Sequence, residues 1–350
     1  LFAEHHRWGF FPGISAGWIM SDEPFMKNIK SINTLKLRAS YGQTGNNSIG
    51  IYDALGRYST DARYDGNAGI VPNVMPNPNL TWETTTQLDL GFDFNLLDNR
   101  LSVIFDYFDK RTNNLLFKKE LPNTSGFKDI NTNVGKVKFY GFDIEVSSVN
   151  IRNKDWEWTT RMTWSYVKNK VLKLPFNGRD KNRIGGVTLA DGTAFGGIAE
   201  GEPMYRYYGF IVDHILQNKA AADGAMYDVY AKGYRDSDHQ RIVGRKEVGD
   251  YEWKNRKGSR TKDGKEIIDS QDLFYLGTTV PTSTGGLGNT LRWKNLTFNL
   301  YLDWALGHSI NHNSEMRYFM NTFANNYTII DEVKKCWKQE GDNTKYARFT

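Results

Sequence analysis

The sequence predicts an all-β fold: a transmembrane antiparallel β-barrel wall with long loops on one side. Three observations carry that expectation. Apolar residues recur with a period of two over arms of ten or more residues, tight turns alternate with long connections, and no apolar run is long enough for a membrane helix. Such arms exceed the about 5–6 residues of an ordinary soluble strand. They match the roughly 9–11 residues that a tilted strand needs to cross a bilayer.

Residues 8–20 are expected to form the first strand, with Trp8, Phe10, Ile14, Ala16, Trp18 and Met20 on one face. The next, 35–42, sets Leu35, Leu37, Ala39 and Tyr41 against Lys36, Arg38 and Ser40. An irregular stretch, 43–80, carries the Gly-Asn, Asp-Gly and Asn-Pro pairs that punctuate loops. A long hairpin over 82–116 follows, turning at Leu96-Leu97-Asp98-Asn99-Arg100. Leu88, Leu90, Phe92, Leu101, Val103, Phe105 and Tyr107 fall on one face, and Gln87, Asp89, Asp93, Asp106, Phe108 and Lys110 on the other. A loop over about 117–134 leads to a second hairpin. Tyr140, Phe142, Ile144 and Val146 alternate there with Asp143 and Glu145, and the return arm carries Trp156, Trp158, Met162, Trp164 and Tyr166. After a charged, Gly-rich excursion comes a third hairpin, turning at Lys294-Asn295, and a short helix is expected near 329–339. Turns near Leu97, Arg152 and Lys294 are therefore expected on the periplasmic side, and segments 43–81, 117–135, 171–282 and 309–350 outside.

A soluble β-sandwich alternates too, so the greasy face has two candidate partners, a protein core or lipid. Long uninterrupted arms, long loops on one side and aromatics at the ends of the apolar face (Trp82, Trp156, Trp158, Trp164, Tyr166, Trp293, Trp304) favour lipid. A mean hydropathy of −0.59 does not oppose this, because a barrel strand exposes only alternate residues to lipid. The 14% aromatic content suits an interfacial girdle or a sugar-contacting surface. Cys336 is the only cysteine, which excludes an internal disulfide and thiol-rich metal centres. A net charge of +5 over 350 residues is too small to suggest nucleic acid as a partner. The start at Leu1, without Met or a signal-peptide pattern, and the end inside an apparent loop suggest a portion of a longer chain.

Several segments resemble the SusC/RagA-like family of TonB-dependent outer-membrane transporters. They are Arg7-Trp-Gly-Phe-Phe-Pro-Gly-Ile-Ser-Ala-Gly-Trp18, Leu35-Lys-Leu-Arg-Ala-Ser-Tyr-Gly-Gln-Thr-Gly-Asn46, Asn133-Val-Gly-Lys-Val-Lys-Phe-Tyr-Gly-Phe142 and Gly201-Glu-Pro-Met-Tyr-Arg-Tyr-Tyr-Gly-Phe210, with the final hairpin. The resemblance implies that residues 1–350 are the barrel portion of a TonB-dependent receptor, an arc of a barrel of about 22 strands. The plug and the last strands would lie outside it, and 171–282 would be a long extracellular loop region. It implies active import of oligomeric nutrients, glycan or peptide, across the outer membrane of a Gram-negative, Bacteroidota-type bacterium. The implied partners are a SusD-like surface lipoprotein, the TonB–ExbB–ExbD complex, outer-membrane lipid and the oligosaccharide or peptide ligand.

No catalytic site is expected, since no Gly-x-Ser-x-Gly elbow, P-loop or His-Glu-x-x-His occurs. Asp143 and Glu145, two apart on one face, could in principle do glycosidase-like chemistry. A hydrated wall balanced by cross-strand partners such as Lys36 and Arg38 accounts for them more simply. The residues expected to face the lumen are Arg38, Gln87, Asp89, Asp93, Asp106, Asp143, Glu145, Arg161 and Asp303. No cofactor is expected beyond one candidate calcium ion. Family members often carry an acidic loop after the Gly-Asp that here is Gly249-Asp250. Basic residues stand there instead, leaving Asp263, Asp269 and Asp272 as the oxygen ligands, or a plain solvated loop. Tyr205, Tyr207, Tyr208 and Trp253 are candidates to stack on sugar rings, or else pack the loop or the lid interface. The run 232–265 holds eleven basic against six acidic residues, which suits an anionic ligand or lipopolysaccharide phosphates, or simple solvation. Two other functions compete: a siderophore or cobalamin TonB receptor, and a secreted β-sandwich carbohydrate-binding module.

Overall fold

The computed structural model describes residues 2, 4–127, 129–188, 194–228, 246–256, 258, 260, 264, 266–312 and 330–348. Strands β1 (Gly13–Ile19) and β2 (Ile32–Asn46) come first, and β3 (Arg57–Tyr64) and β4 (Asn67–Val74) form a hairpin of their own. Then follow β5 (Glu83–Leu96), β6 (Leu101–Glu120), β7 (Asp129–Arg152) and β8 (Trp156–Lys173). Short strands come next: β9 (Val187–Thr188), β10 (Ala194–Phe195), β11 (Arg206–Gly209), β12 (Val212–Ile215), β13 (Tyr227–Asp228), β14 (Tyr251–Trp253), β15 (Ile267–Ile268) and β16 (Phe274–Thr278). The last hairpin is β17 (Ser283–Trp293) and β18 (Leu296–Leu306). Two compact units result. The first holds Leu1–Gly186, Gly197–Tyr205 and Val280–His308, and the second holds Val187–Gly196, Arg206–Thr279 and Ser309–Thr350.

The first unit is built on one open eight-stranded antiparallel sheet in the order β1-β2-β5-β6-β7-β8-β17-β18. Its register aligns equivalent side chains into rows across the strands. Leu37, Phe92, Phe105, Ile144, Trp164, Gly285 and Trp304 form one such row. Phe92 stacks on Phe105 at 5.4 Å, Phe105 on Phe142 of the adjoining row at 6.1 Å, and Phe142 meets Trp164 edge-on at 5.1 Å, so an aromatic band runs from β5 to β8. None of these side chains is buried: Phe92, Phe105, Phe142, Ile144 and Trp164 are all half-buried. On β18, Leu296, Phe298, Leu300, Leu302 and Leu306 are 42–65% exposed. Exposure is highest on this edge strand, and further in Leu37, Tyr41, Leu90 and Tyr107 are exposed as well.

Tight turns hold this register. Leu97, Asp98 and Asn99 all take positive φ (53°, 56° and 60°), closing the connection between the paired ends Leu96 and Leu101. Lys294, at φ 51°, closes the two-residue turn between the paired Trp293 and Leu296. Gly285 serves a different need. The Trp304 ring lies where its side chain would be, and an added Cβ would sit 2.1 Å from that ring and 2.4 Å from the Thr163 carbonyl.

Several expectations are corrected. The first strand begins at Gly13, not Trp8, and Trp8 and Phe10 precede it, 95% and 86% exposed. The loop expected over 117–134 is largely ladder, because β6 runs to Glu120 and pairs with β7 from Asp129. Hydrogen bonding between backbones continues there although the apolar alternation has ended. The irregular stretch after β2 contains the β3–β4 hairpin. Trp82 lies outside β5 and joins Phe2, Ala54 and Leu80 in a small cluster, its Nε1 donating to the His6 carbonyl at 3.1 Å. Trp164 lies in the middle of β8 rather than at its rim, whereas Trp304 stands two residues from the end of β18. The helix near 329–339 is a five-residue 3-10 turn, Asp331–Lys335.

The second unit is held by short pairings, β11 with β16, β12 with β14 and, in parallel, β13 with β15. Arg348 bridges Asp250 (2.8 Å) and Glu247, and Trp337 donates to Gln217 at 3.1 Å. Cys336 is buried, which pushes its thiol pKa up and keeps it protonated.

A substitution at the close approach tests the register. Gly285→Val should cost about 1–3 kcal/mol by overpacking against Trp304 and the Thr163 carbonyl. Gly224→Ala, at the end of the short helix Lys219–Gly224 with open space around it, should not lower the urea midpoint.

Candidate functional site

The face opposite the aromatic band carries the polar half of each strand. All nine residues expected to share a face do so: Arg38, Gln87, Asp89, Asp93, Asp106, Asp143, Glu145, Arg161 and Asp303. Arg38 is the hub. Its Nε donates to Asp93 Oδ1 at 2.9 Å, and its Nη1 and Nη2 reach the two Asp106 oxygens at 2.8 and 3.0 Å. This fork ties β2, β5 and β6 together as only a planar guanidinium can. The Arg38 chain crosses Gly91, where an added Cβ would lie 2.2 Å from Asp106 Oδ1 and 3.1 Å from Arg38 Nη2.

The other carboxylates have different partners from those expected. Glu145 accepts from Arg161 at 2.6 Å and Asp143 from the Ser165 hydroxyl, not from Lys36 or Arg38. Asp89 accepts from Ser40 at 3.1 Å and from Gln87 at 2.8 Å. Each of these bonds links neighbouring strands or neighbouring positions on one strand, so the face is a hydrogen-bonded polar surface. The carboxylates are all held as acceptors.

At the end of this face remote from the tight turns lies a cavity of about 620 Å3. Its walls mix apolar Phe108, Phe117, Phe139, Leu174 and Met204 with Glu83, Lys110, Asn46 and Tyr205. Glu83 is fixed by Asn46 Nδ2 at 2.7 Å and by the Leu116 N–H at 2.8 Å. Of the four aromatic candidates only Tyr205, held at φ 64°, lines this cavity. Tyr207, Tyr208 and Trp253 belong to the second unit. Tyr208 meets Tyr275 edge-on at 5.9 Å, with the Arg206 guanidinium over both rings, and Trp253 packs between Phe210 and Tyr251. Sequence reasoning missed the remaining cavity residues. The available signal was Phe108, an aromatic on a mainly polar face.

The calcium candidates divide. Asp263 lies outside the described residues. Asp269 and Asp272 form a capping box around the 3-10 turn Ser270–Asp272, and the fully buried Asp272 also accepts from the Arg256 N–H at 2.7 Å. Among the described residues no three His, Cys, Asp or Glu side chains converge as metal ligands.

A long antiparallel sheet, apolar on one face and hydrogen-bonded polar on the other, defines the class: a wall segment of a β-barrel. The family model described as TonB dependent receptor-like, beta-barrel, matches residues 2–331, and the chain belongs to that family. It is 33% identical over 99% of its length to TonB-dependent receptor P3 of Formosa agariphila, covering 32% of that protein. It is 30% identical over 49% of its length to TonB-dependent receptor SusC of Bacteroides thetaiotaomicron, covering 18% of it. The chain thus spans about a third of the length of the Formosa relatives it matches. The fold is similar to that in the structure of the RagAB peptide transporter, with a TM-score of 0.69 at 21% identity over 99% of this chain and 35% of the other.

The Arg38 fork yields a direct test. Arg38→Met should cost about 1–2 kcal/mol, between the values for exposed and buried pairs, because it strands two carboxylates on one face. A double-mutant cycle with Asp106→Asn should show coupling between the two positions. Arg38→Lys should recover only part of the loss, since an ammonium cannot make the fork.

Proposed function

We propose that this chain is wall and lumen lining of an outer-membrane importer that takes up oligomeric nutrients, glycan or peptide, using energy delivered through TonB. One observation carries the reading: a single sheet sorts an aromatic band from a hydrogen-bonded polar face over membrane-spanning length. Family membership and the likeness to SusC and to the RagAB peptide transporter support it. In this reading the band meets lipid, and the Arg38, Asp89, Asp143, Glu145 and Asp303 face lines the lumen. The tight turns point to the periplasm and the long connections outward.

A hydrated lining has a mechanical use. Contacts of about 1 kcal/mol each can be exchanged for water, so a plug pulled through TonB–ExbB–ExbD can leave the wall without stripping a greasy surface. The cavity beside Tyr205, at the outward end, offers apolar patches with one acidic and one basic group, which suits a sugar ring or a peptide side chain. A SusD-like lipoprotein would close the outer side. The exposed Tyr58 and Ile70 of the β3–β4 hairpin (70% and 72%) supply apolar contact for it.

In cells, deleting the whole receptor gene should abolish uptake of one class of labelled oligomers, glycan or peptide. Loss of TonB should do the same, and monomer uptake should be unaffected. Unchanged uptake of both oligomer pools in the deletion strain would overturn the proposal. In the full-length receptor, Phe92→Lys should weaken assembly into lipid by about 2–4 kcal/mol if the band lies at the midplane. Asp89→Asn should assemble normally, as read by heat-modifiable gel mobility.

A further inference from the structure

One end of the outward face differs sharply in charge from the rest. The nine outward positions at the long-connection ends of β6, β7 and β8 are 107, 109, 111, then 140, 138, 136, then 166, 168, 170. They hold three tyrosines (Tyr107, Tyr140, Tyr166), five cations (Arg111, Lys136, Lys138, Lys168, Lys170) and a single carboxylate, Asp109. Register sets Asp109 beside Tyr140 beside Lys168, and one step further out Arg111 beside Lys138 beside Lys170. The tyrosines close the apolar band, and the cations stand immediately beyond them.

The arrangement is preorganised. Asp109 holds Arg111 at 2.9 Å and Lys138 at 2.6 Å, fixing both on one spot. Lys138 also lies 4.8 Å over the Tyr140 ring, and Lys168 lies 5.3 Å over Tyr166. Strand pairing spaces these cations about 4.8 Å across the sheet and roughly 7 Å along it. Lys136, Lys168 and Lys170 remain exposed to receive a ligand. The opposite end of the outward face is not built this way. It carries the stacked Trp156–Trp293 pair, with Lys294 over the Trp293 ring. From Trp158 to Lys168 is ten residues along β8, a membrane-crossing length, so the cations fall at headgroup depth when the band is in lipid.

We propose that this comb binds the phosphate groups of a phosphorylated glycolipid in the outer leaflet, of lipid A chemistry. The tyrosines lie at the acyl boundary, and Lys138, Lys168, Lys170 and Arg111 surround the phosphates. A dianionic phosphate offers oxygens to several ammonium and guanidinium groups at once, and the low dielectric near the headgroups strengthens each contact. Four net positive charges on so small a patch match a headgroup bearing two phosphates better than a zwitterionic lipid. The proposal rests on the membrane reading above, and its test separates the two.

The full-length receptor would be reconstituted into phosphatidylcholine nanodiscs containing diphosphoryl lipid A or its dephosphorylated form, and bound lipid measured by native mass spectrometry. Diphosphoryl lipid A should be retained and the dephosphorylated form lost. Lys138→Gln, Lys168→Gln and Lys170→Gln combined should weaken retention at least about tenfold, while the corresponding Arg triple variant keeps it. Millimolar inorganic phosphate should not displace the lipid. Equal retention of the two lipids, equal retention by wild type and the Gln variant, or displacement by inorganic phosphate would each overturn the proposal. Heat-modifiable mobility of the Gln variant matching wild type excludes misfolding. A wild-type receptor that fails to enter the nanodisc at all overturns the membrane reading and this proposal together.

Discussion

The structure depends on the register of one antiparallel ladder. In a strand, neighbouring side chains point to opposite faces, so a slip of β6 by one residue against β5 would carry Phe105 to the polar face and Asp106, one of Arg38's two partners, to the aromatic one. Register therefore sets both the aromatic band and the ion-paired lining. The turns hold it locally, with Leu97, Asp98 and Asn99 in left-handed conformations and Lys294 in another. Close approaches hold it across strands, at Gly91 beneath the Arg38 fork and at Gly285 beneath the Trp304 ring.

The two faces follow different physics. Half-buried in the chain itself, the band would gain most of its stabilisation from an apolar medium, as the proposed membrane setting supplies. The lining gains from satisfied polar groups. Arg38 serves two carboxylates from two strands, and Asp89, Asp143 and Glu145 each accept from a neighbour. A wall built so can remain folded with lipid on one side and water or a polar plug on the other. That is what a TonB-dependent barrel requires.

The hairpins were legible because a period of two over ten residues has no helical counterpart, and the turn sequences at 96–100 and 294–295 stand out locally. What a side chain touches was less legible. Arg38 pairs with Asp93 and Asp106, 55 and 68 residues away, and only the register brings them together. The end of β6 was missed because apolar alternation stops near Leu116 while backbone pairing continues to Glu120. Tryptophan alone was a poor marker of the rim, as Trp82 joins a small core and Trp164 sits in mid-band. Of the candidate contacts, the sequence drew attention to aromatic runs. Tyr205 lines the cavity, but Tyr208 and Trp253 have aromatic neighbours of their own.

The central claim is that one face of the sheet meets lipid and the other water. Nitroxide labels placed singly at 102–107 in the full-length receptor, reconstituted in bilayers with Cys336→Ser and any other cysteine removed, test it most directly. Labels at Val103, Phe105 and Tyr107 should show high accessibility to dissolved oxygen and low accessibility to a water-soluble nickel chelate. Labels at Ser102, Ile104 and Asp106 should show the reverse. A strict alternation is the result the ladder predicts; equal accessibility of the two sets to both reagents would contradict it.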